Sequence, residues 1–138
     1  MTDSAAPAAL PVRAPRAQHV LEVIRTERLS PHLVRVHLGG EGTRALLEQA
    51  VPERLAATDA YVKLMLPQPG SGLVPPFYLP ALRETLPPEA LPAVRTYTLR
   101  HTDPAAGTCA IDFVVHGDDG LAGPWAASAQ PGDLLAAS

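Results

Sequence analysis

The sequence predicts an all-β domain, an antiparallel barrel or sandwich carrying one or two short helices. Three observations predict it. Five runs combine β-branched or aromatic residues with period-two patterning, the helical signals are two and short, and no strand–helix–strand alternation of the kind that builds a parallel sheet is present.

The first two runs, HVLEVIRTERL (19–29) and HLVRVHLG (32–39), flank Ser30-Pro31 as the arms of a hairpin. The second alternates Leu33, Arg35 and His37 on one face with Val34, Val36 and Leu38 on the other. A short helix is expected over Thr43–Ala50, and YVKLMLP (61–67) is the third strand, with Tyr61, Leu64 and Leu66 apolar. The chain holds 16 prolines, eight of them between Pro67 and Pro92. Proline removes a ladder donor and disfavours helix interiors, so this stretch reads as one long irregular connection. RTYTLR (95–100) and TCAIDFVVHG (108–117) follow as strands, joined by HTDPAAG, whose Asp-Pro and Gly suit a turn. In the second of these, Cys109, Ile111, Phe113 and Val115 alternate with Ala110, Asp112, Val114 and His116. A last short helix is expected over Pro124–Ala129.

The bulk composition narrows the function classes. A chain of 138 residues supports one domain, assigned to residues 18–138 behind an Ala/Pro-rich tail at 1–17 that is expected to be loose. Hydrophobic residues are 46% and charged residues 18%, the balance of a folded protein, and the core must be aliphatic because aromatics are only 4%. The net charge is −3, and ten Arg and one Lys lie scattered without a run, which argues against nucleic acid as a partner. Cys109 is the single cysteine, so neither an internal disulfide nor a CxxC metal site can form, and a reducing compartment is expected. The opening residues lack the apolar core of a signal peptide and no later stretch is long enough to span a bilayer; a cytoplasmic protein with no membrane partner is expected.

Gly40-Glu41-Gly42-Thr43-Arg44-Ala45 matches a GxGxxA dinucleotide fingerprint after a strand, but the third strand ends in Pro67 and Gln68 where an acidic residue is required, and Asp59 lies before that strand. A plain strand-to-helix turn is the better reading. The five histidines, His19, His32, His37, His101 and His116, show no ligand spacing, so no metal is expected. Ser71, within Gly-Ser-Gly, reads as flexible loop and not as a nucleophile.

Two stretches carry chemistry. Period two places Arg95 and Tyr97 on one face of a strand, where a guanidinium suits the paired oxygens of a phosphate and a tyrosine ring suits a flat heterocycle. Thr98 brings a hydroxyl and a backbone N–H to the polar edge of such a ring. In Gly120-Leu121-Ala122-Gly123-Pro124-Trp125-Ala126, glycines precede a proline that fits the first position of a helix, so free N–H groups would face a diphosphate. Taken singly, Arg95 and Arg100 read equally as solvated strand charges, Tyr97 as a packing residue, Trp125 as the core anchor of its helix and His116 as a strand-end hydrogen-bonding group.

In combination, DAYVKLMLP, RTYTLR, DFVVHGDDG, GPWA and QPGD, in that order between about Val20 and Asp133, resemble the FAD-binding domain of siderophore-interacting proteins, flavin-dependent ferric-siderophore reductases related to ferredoxin–NADP reductases. The resemblance implies a six-stranded antiparallel Greek-key barrel and FAD as cofactor. By residue, it implies that Arg95 binds the diphosphate, Tyr97 packs on the isoalloxazine, Thr98 sits by its N5 edge as the catalytic contact, and Arg100 adds charge. Gly123, Pro124 and Trp125 would open a phosphate-facing helix, with His116 and Gly117 bordering the flavin; strict alternation puts Arg100 on the face opposite Tyr97. It further implies a ferric siderophore as substrate, with reduction releasing Fe(II) because hard oxygen ligands hold Fe(II) less firmly. The family continues after the PGD turn into an α/β domain that takes the hydride donor NAD(P)H. That domain, the natural covalent partner, is expected to be absent from these residues, which are therefore not expected to bind NAD(P)H and are incomplete for turnover. Two other classes stay open: a flavin barrel of the same superfamily with a different electron acceptor, and a flavin-free binding or scaffold barrel.

Overall fold

The computed structural model describes residues 17–50, 60–117 and 120–138. The tail expected at 1–17 lies almost wholly outside the described residues, as does Asp59. Seven strands form one antiparallel sheet: β1 (His19–Ser30), β2 (Leu33–Gly39), β3 (Tyr61–Leu66), β4 (Ala93–Thr98), β5 (His101–Asp103), β6 (Thr108–Val114) and β7 (Leu134–Ala137), in the order β4-β3-β7-β1-β2-β6-β5. Among the described residues three α-helices, α1 (Gly40–Gln49), α2 (Leu79–Thr85) and α3 (Ala122–Ser128), accompany it. The antiparallel all-β expectation holds, with one strand more than the six expected, three α-helices instead of one or two, and no hydrogen-bonded ladder joining the two ends of the sheet among the described residues.

The extra pieces have identifiable causes. RTYTLR is not a single strand: β4 ends at Thr98, and β5 begins at His101 after Leu99 turns into the core at 8% exposure. Leu-Leu-Ala-Ala near the end of the chain is too short to show a period, yet it inserts between β1 and β3 as β7, buried at Leu135, Ala136 and Ala137. The proline-rich connection contains α2 and a 3₁₀ turn at Pro88–Ala90, because prolines fall where a first helical turn tolerates them.

Alternation then sorts the side chains as expected. Val34, Val36 and Leu38 of β2 and Cys109, Ile111 and Phe113 of β6 point inward, all at most 3% exposed. Leu21, Val23, Val62, Leu64, Leu66 and Leu135 complete this core. Burying each such side chain contributes roughly 1.5–3 kcal/mol. On the outer face Arg35 stands directly across from Asp112 and donates to both carboxylate oxygens at 2.7 and 3.0 Å. A second, smaller cluster of Met65, Phe77 and Ala136, packed by Leu73, Leu79 and Leu82, covers the outer side of β3 and β7 with the proline-rich segment. Gln18 ties that segment down, accepting from the Phe77 N–H at 2.7 Å and donating to its carbonyl at 2.8 Å.

The GxGxxA match has a packing explanation. A Cβ on Gly42 would overlap the Val20 carbonyl, and the buried Thr43 hydroxyl donates to the Gly39 carbonyl at 2.7 Å. The helix starts three residues earlier than its apolar pattern suggests so that glycine can lie directly on β1. Among the described residues no helix is long and apolar enough to cross a membrane.

Cys109 is 2% exposed on β6, and burial pushes its thiol up to about 12. It is expected to stay inert to a disulfide-exchange reagent at pH 8 while the protein is folded and to react with full stoichiometry in denaturant. Labelling of the native protein within the mixing time would contradict this burial.

Candidate functional site

The site is built on β4, the last strand of the ladder. Among the described residues it pairs with β3 alone, Tyr97 opposite Val62 and Arg95 opposite Leu64. Val62 and Leu64 are buried core residues, so Arg95 and Tyr97 share the inner face of the sheet, as their spacing predicts. Arg95 is nonetheless exposed and Tyr97 half-buried, because no further strand continues the sheet beyond them. The Leu99 N–H donates to the Ala60 carbonyl at 2.7 Å, which sets the phase of the ladder. Alternation then directs the backbone groups of Val94, Thr96 and Thr98 away from β3, toward the open edge. The Arg95 guanidinium donates to the Val94 carbonyl there at 3.0 Å.

Across that edge lies β6. The Arg100 N–H donates to the Ala110 carbonyl at 2.9 Å, and beyond Ala110 the strand pairs with β2 only. Side chains join what the ladder does not: the Tyr97 ring lies 4.7 Å from Phe113, and Phe113 lies 5.7 Å from Trp125 of α3. One aromatic chain thus runs from the first motif to the second. Burial raises the Tyr97 phenol above its ordinary range, and the neighbouring Arg95 cation pulls in the opposite direction.

Thr98 is exposed, with its hydroxyl on the face opposite Tyr97 and across from Tyr61, so only its backbone N–H lies on the open edge. Arg100 is exposed in the link between β4 and β5, where the strand has already broken and strict alternation no longer applies. His116 stacks on His32 with ring centroids 5.9 Å apart, while the His32 ring nitrogen Nδ1 lies 3.2 Å from the Val115 carbonyl. This puts His116 beside the β1–β2 turn. Gly117 follows it, exposed, with φ at 57°.

The helix expected to begin at Pro124 begins at Ala122, so Pro124 is its third residue and Gly123 its second. Gly123 is buried; a Cβ there would sit 3.1 Å from the Val114 carbonyl, so the glycine serves the packing of α3 on β6. A helix of seven residues has little aligned dipole to offer a phosphate. Pro124 and Trp125 are half-buried and, with Gly120, Leu121 and Ser128, form one wall of a cleft of about 540 Å³. Residues 67–73 form the other wall. Sequence reasoning missed that wall and the bridging role of Phe113. The Gly-Ser-Gly of the loop, with φ of 77° at Gly70 and 74° at Gly72, was the available signal for a shaped turn.

Residues 22–138 match the family described as the siderophore-interacting FAD-binding domain. An uncharacterized protein of Mycobacterium tuberculosis is 44% identical over 125 residues, covering 88% of this chain and 42% of the relative. The NADPH-dependent ferric-chelate reductase of Escherichia coli is 37% identical over 117 residues, covering 83% and 41%. The crystal structure of a siderophore utilization protein from T. fusca superposes with a TM-score of 0.66 at 35% identity, covering 88% of this chain and 43% of that one. Solved reductases of the ferredoxin and cytochrome b5 type share the fold alone, with TM-scores of 0.52 and 0.56 at 15% and 14% identity. The chain spans about two fifths of the length of the curated relatives it matches.

A spectrophotometric titration should show the Tyr97 phenol ionising above the ordinary tyrosine range, a component that Tyr97→Phe removes. Loss of a component within the ordinary range instead would mean that Tyr97 is solvated and not packed on Phe113.

Proposed function

We propose, because the chain belongs to the family of siderophore-interacting FAD-binding domains, that it is the flavin-holding part of a cytoplasmic reductase that releases iron from ferric siderophores. The observation that carries the reading is the aromatic continuity Tyr97–Phe113–Trp125, which joins the two motifs at one edge of the sheet. The E. coli relative's name, a ferric-chelate reductase, supports the substrate class.

The residues present fit FAD. Among the described residues Arg95 is in no salt bridge and donates only to a neighbouring carbonyl, so an exposed guanidinium is available for charge-assisted bonds to a diphosphate. Tyr97 offers a ring whose inner side is fixed by Phe113, leaving its outer side to cover the isoalloxazine. Thr98 acts through its backbone N–H at the open edge of β4, where the flavin's N5 edge can accept a hydrogen bond, and not through its hydroxyl. Arg100 adds positive charge beyond the strand end, and His116, Gly117, Gly123, Pro124 and Trp125 border the ligand on the β6–α3 side. FAD, when bound, supplies the exchange between two-electron and one-electron chemistry that links a nicotinamide to an iron chelate. The ferric siderophore is the substrate; its oxygen ligands hold Fe(II) less firmly than Fe(III), so reduction frees the metal for iron acquisition. NAD(P)H is the hydride donor of the longer relatives, taken by the portion of those proteins that these residues do not match.

Arg95→Ala should weaken FAD binding by about 2 kcal/mol, roughly 30-fold, while the far-UV spectrum and melting temperature stay unchanged. Unchanged affinity in a flavin-fluorescence titration would remove Arg95 from the site. Flavin emission should be quenched in the wild-type complex by electron donation from the Tyr97 phenol to the excited ring and partly recovered in both Tyr97→Ala and Tyr97→Phe, with Tyr97→Phe keeping most of the affinity because the ring face remains. Equal emission from wild type and Tyr97→Ala would place the isoalloxazine elsewhere.

A further inference from the structure

One pair of metal-ligating side chains, far apart in the sequence, is brought together by the fold. His32 lies in the β1–β2 turn and His116 just beyond β6, and their rings stack with centroids 5.9 Å apart and planes inclined by 30°. We infer that these two imidazoles form an open site for a divalent transition-metal ion of the copper or zinc class, an inference that does not depend on the flavin reading. Imidazole is a common ligand of such ions, and a ligating histidine is held through its second ring nitrogen. Val115 holds His32 in this way. Its N–H donates to the His32 carbonyl at 2.8 Å, and its own carbonyl lies 3.2 Å from His32 Nδ1. A carbonyl only accepts, so Nδ1 carries the proton and Nε2 presents its lone pair.

The His116 side chain makes no hydrogen bond or ion pair among the described residues, so either of its nitrogens can ligate. Both histidines are exposed, and a hydrated ion can reach them. An ion about 2.0–2.1 Å from one nitrogen of each ring fits between centroids at this separation, once the exposed His116 side chain rotates to aim its nitrogen. His19 and His37 are engaged elsewhere, with Nε2 at 3.1 Å from Gln49 Oε1 and at 3.0 Å from Glu27 Oε1. The donor set selects the ion. Among the described residues no group of three His, Cys, Asp or Glu side chains is placed to hold a metal, so water fills the remaining positions. Hard cations such as Mg²⁺ need oxygen ligands and gain nothing from two imidazoles. Arg28, whose guanidinium donates to the Pro31 carbonyl at 2.8 Å, adds positive charge to the same turn and so favours the ion with the greatest affinity for nitrogen. That ion is Cu²⁺, which heads the divalent series.

The test is a calorimetric titration of the 138-residue protein, and of His32→Phe, with copper(II), zinc and magnesium chlorides. Phenylalanine keeps a ring against His116 and removes the ligand. The wild-type protein should bind Cu²⁺ at equal stoichiometry and Zn²⁺ more weakly, with no saturable heat from Mg²⁺. His32→Phe should lose more than about tenfold in Cu²⁺ affinity, because even the loss of a ligand's hydrogen-bonding partner costs that much. His116→Phe should show the same loss and serves if His32→Phe fails to fold. Electron paramagnetic resonance of the copper complex should show coupling to two imidazole nitrogens. Unchanged Cu²⁺ affinity in either variant would put the ion on other groups and overturn the inference, as would binding of Mg²⁺ tighter than Zn²⁺ or the absence of saturable Cu²⁺ binding.

Discussion

The contact between Tyr97 and Phe113 is the interaction on which the rest of the site depends. The hydrogen-bonded sheet ends at β4 on one side and β5 on the other, and these two strands are consecutive in the chain. A closed ladder would satisfy every backbone group and leave no polar edge for a ligand. Here the β4 edge meets β6 through rings 4.7 Å apart. The core is sealed by side chains while the backbone groups of Val94, Thr96 and Thr98 face an edge with no further ladder among the described residues, the Val94 carbonyl there accepting from Arg95. A fully apolar Phe113 can close this seam without a partner for a buried polar atom, which tyrosine or tryptophan would need there.

The same arrangement divides the labour between the two motifs. β4 presents charge and a ring from a strand held on one side only, and α3 supplies a short apolar buttress fixed by the close approach of Gly123 to the Val114 carbonyl. The Arg35–Asp112 pair lies on the outer face of β2 and β6. It links the two strands across the sheet surface, away from β4. Arg95 stands on a different strand, β4, where among the described residues it is in no salt bridge and, being exposed, leaves no charge buried.

Much of the fold was legible in local pattern. Alternation in β2 and β6 told the inner face from the outer one, and the spacing of Arg95 and Tyr97 placed both on one side of their strand. Local pattern failed where a residue's role is set by what lies across from it. Leu-Leu-Ala-Ala carries no period, and only the gap between β1 and β3 makes it β7. Pro124 suits the first turn of a helix in two positions, and the packing of Gly123 on β6 selects the earlier start. Thr98 brings a hydroxyl and a backbone N–H in one dimension, and its pairing with Tyr61 separates the two, setting the hydroxyl on the face opposite Tyr97.

By itself the sequence determined the antiparallel class, the aliphatic core and the two motifs that carry the family resemblance, because each is written in residue type and short-range period. Only the tertiary structure decided that the motifs meet through Phe113, that the sheet stays open at β4 and that residues 67–73 form a wall opposite α3. Those features depend on contacts between segments tens of residues apart, whose geometry is set by how the whole core closes and not by any local preference.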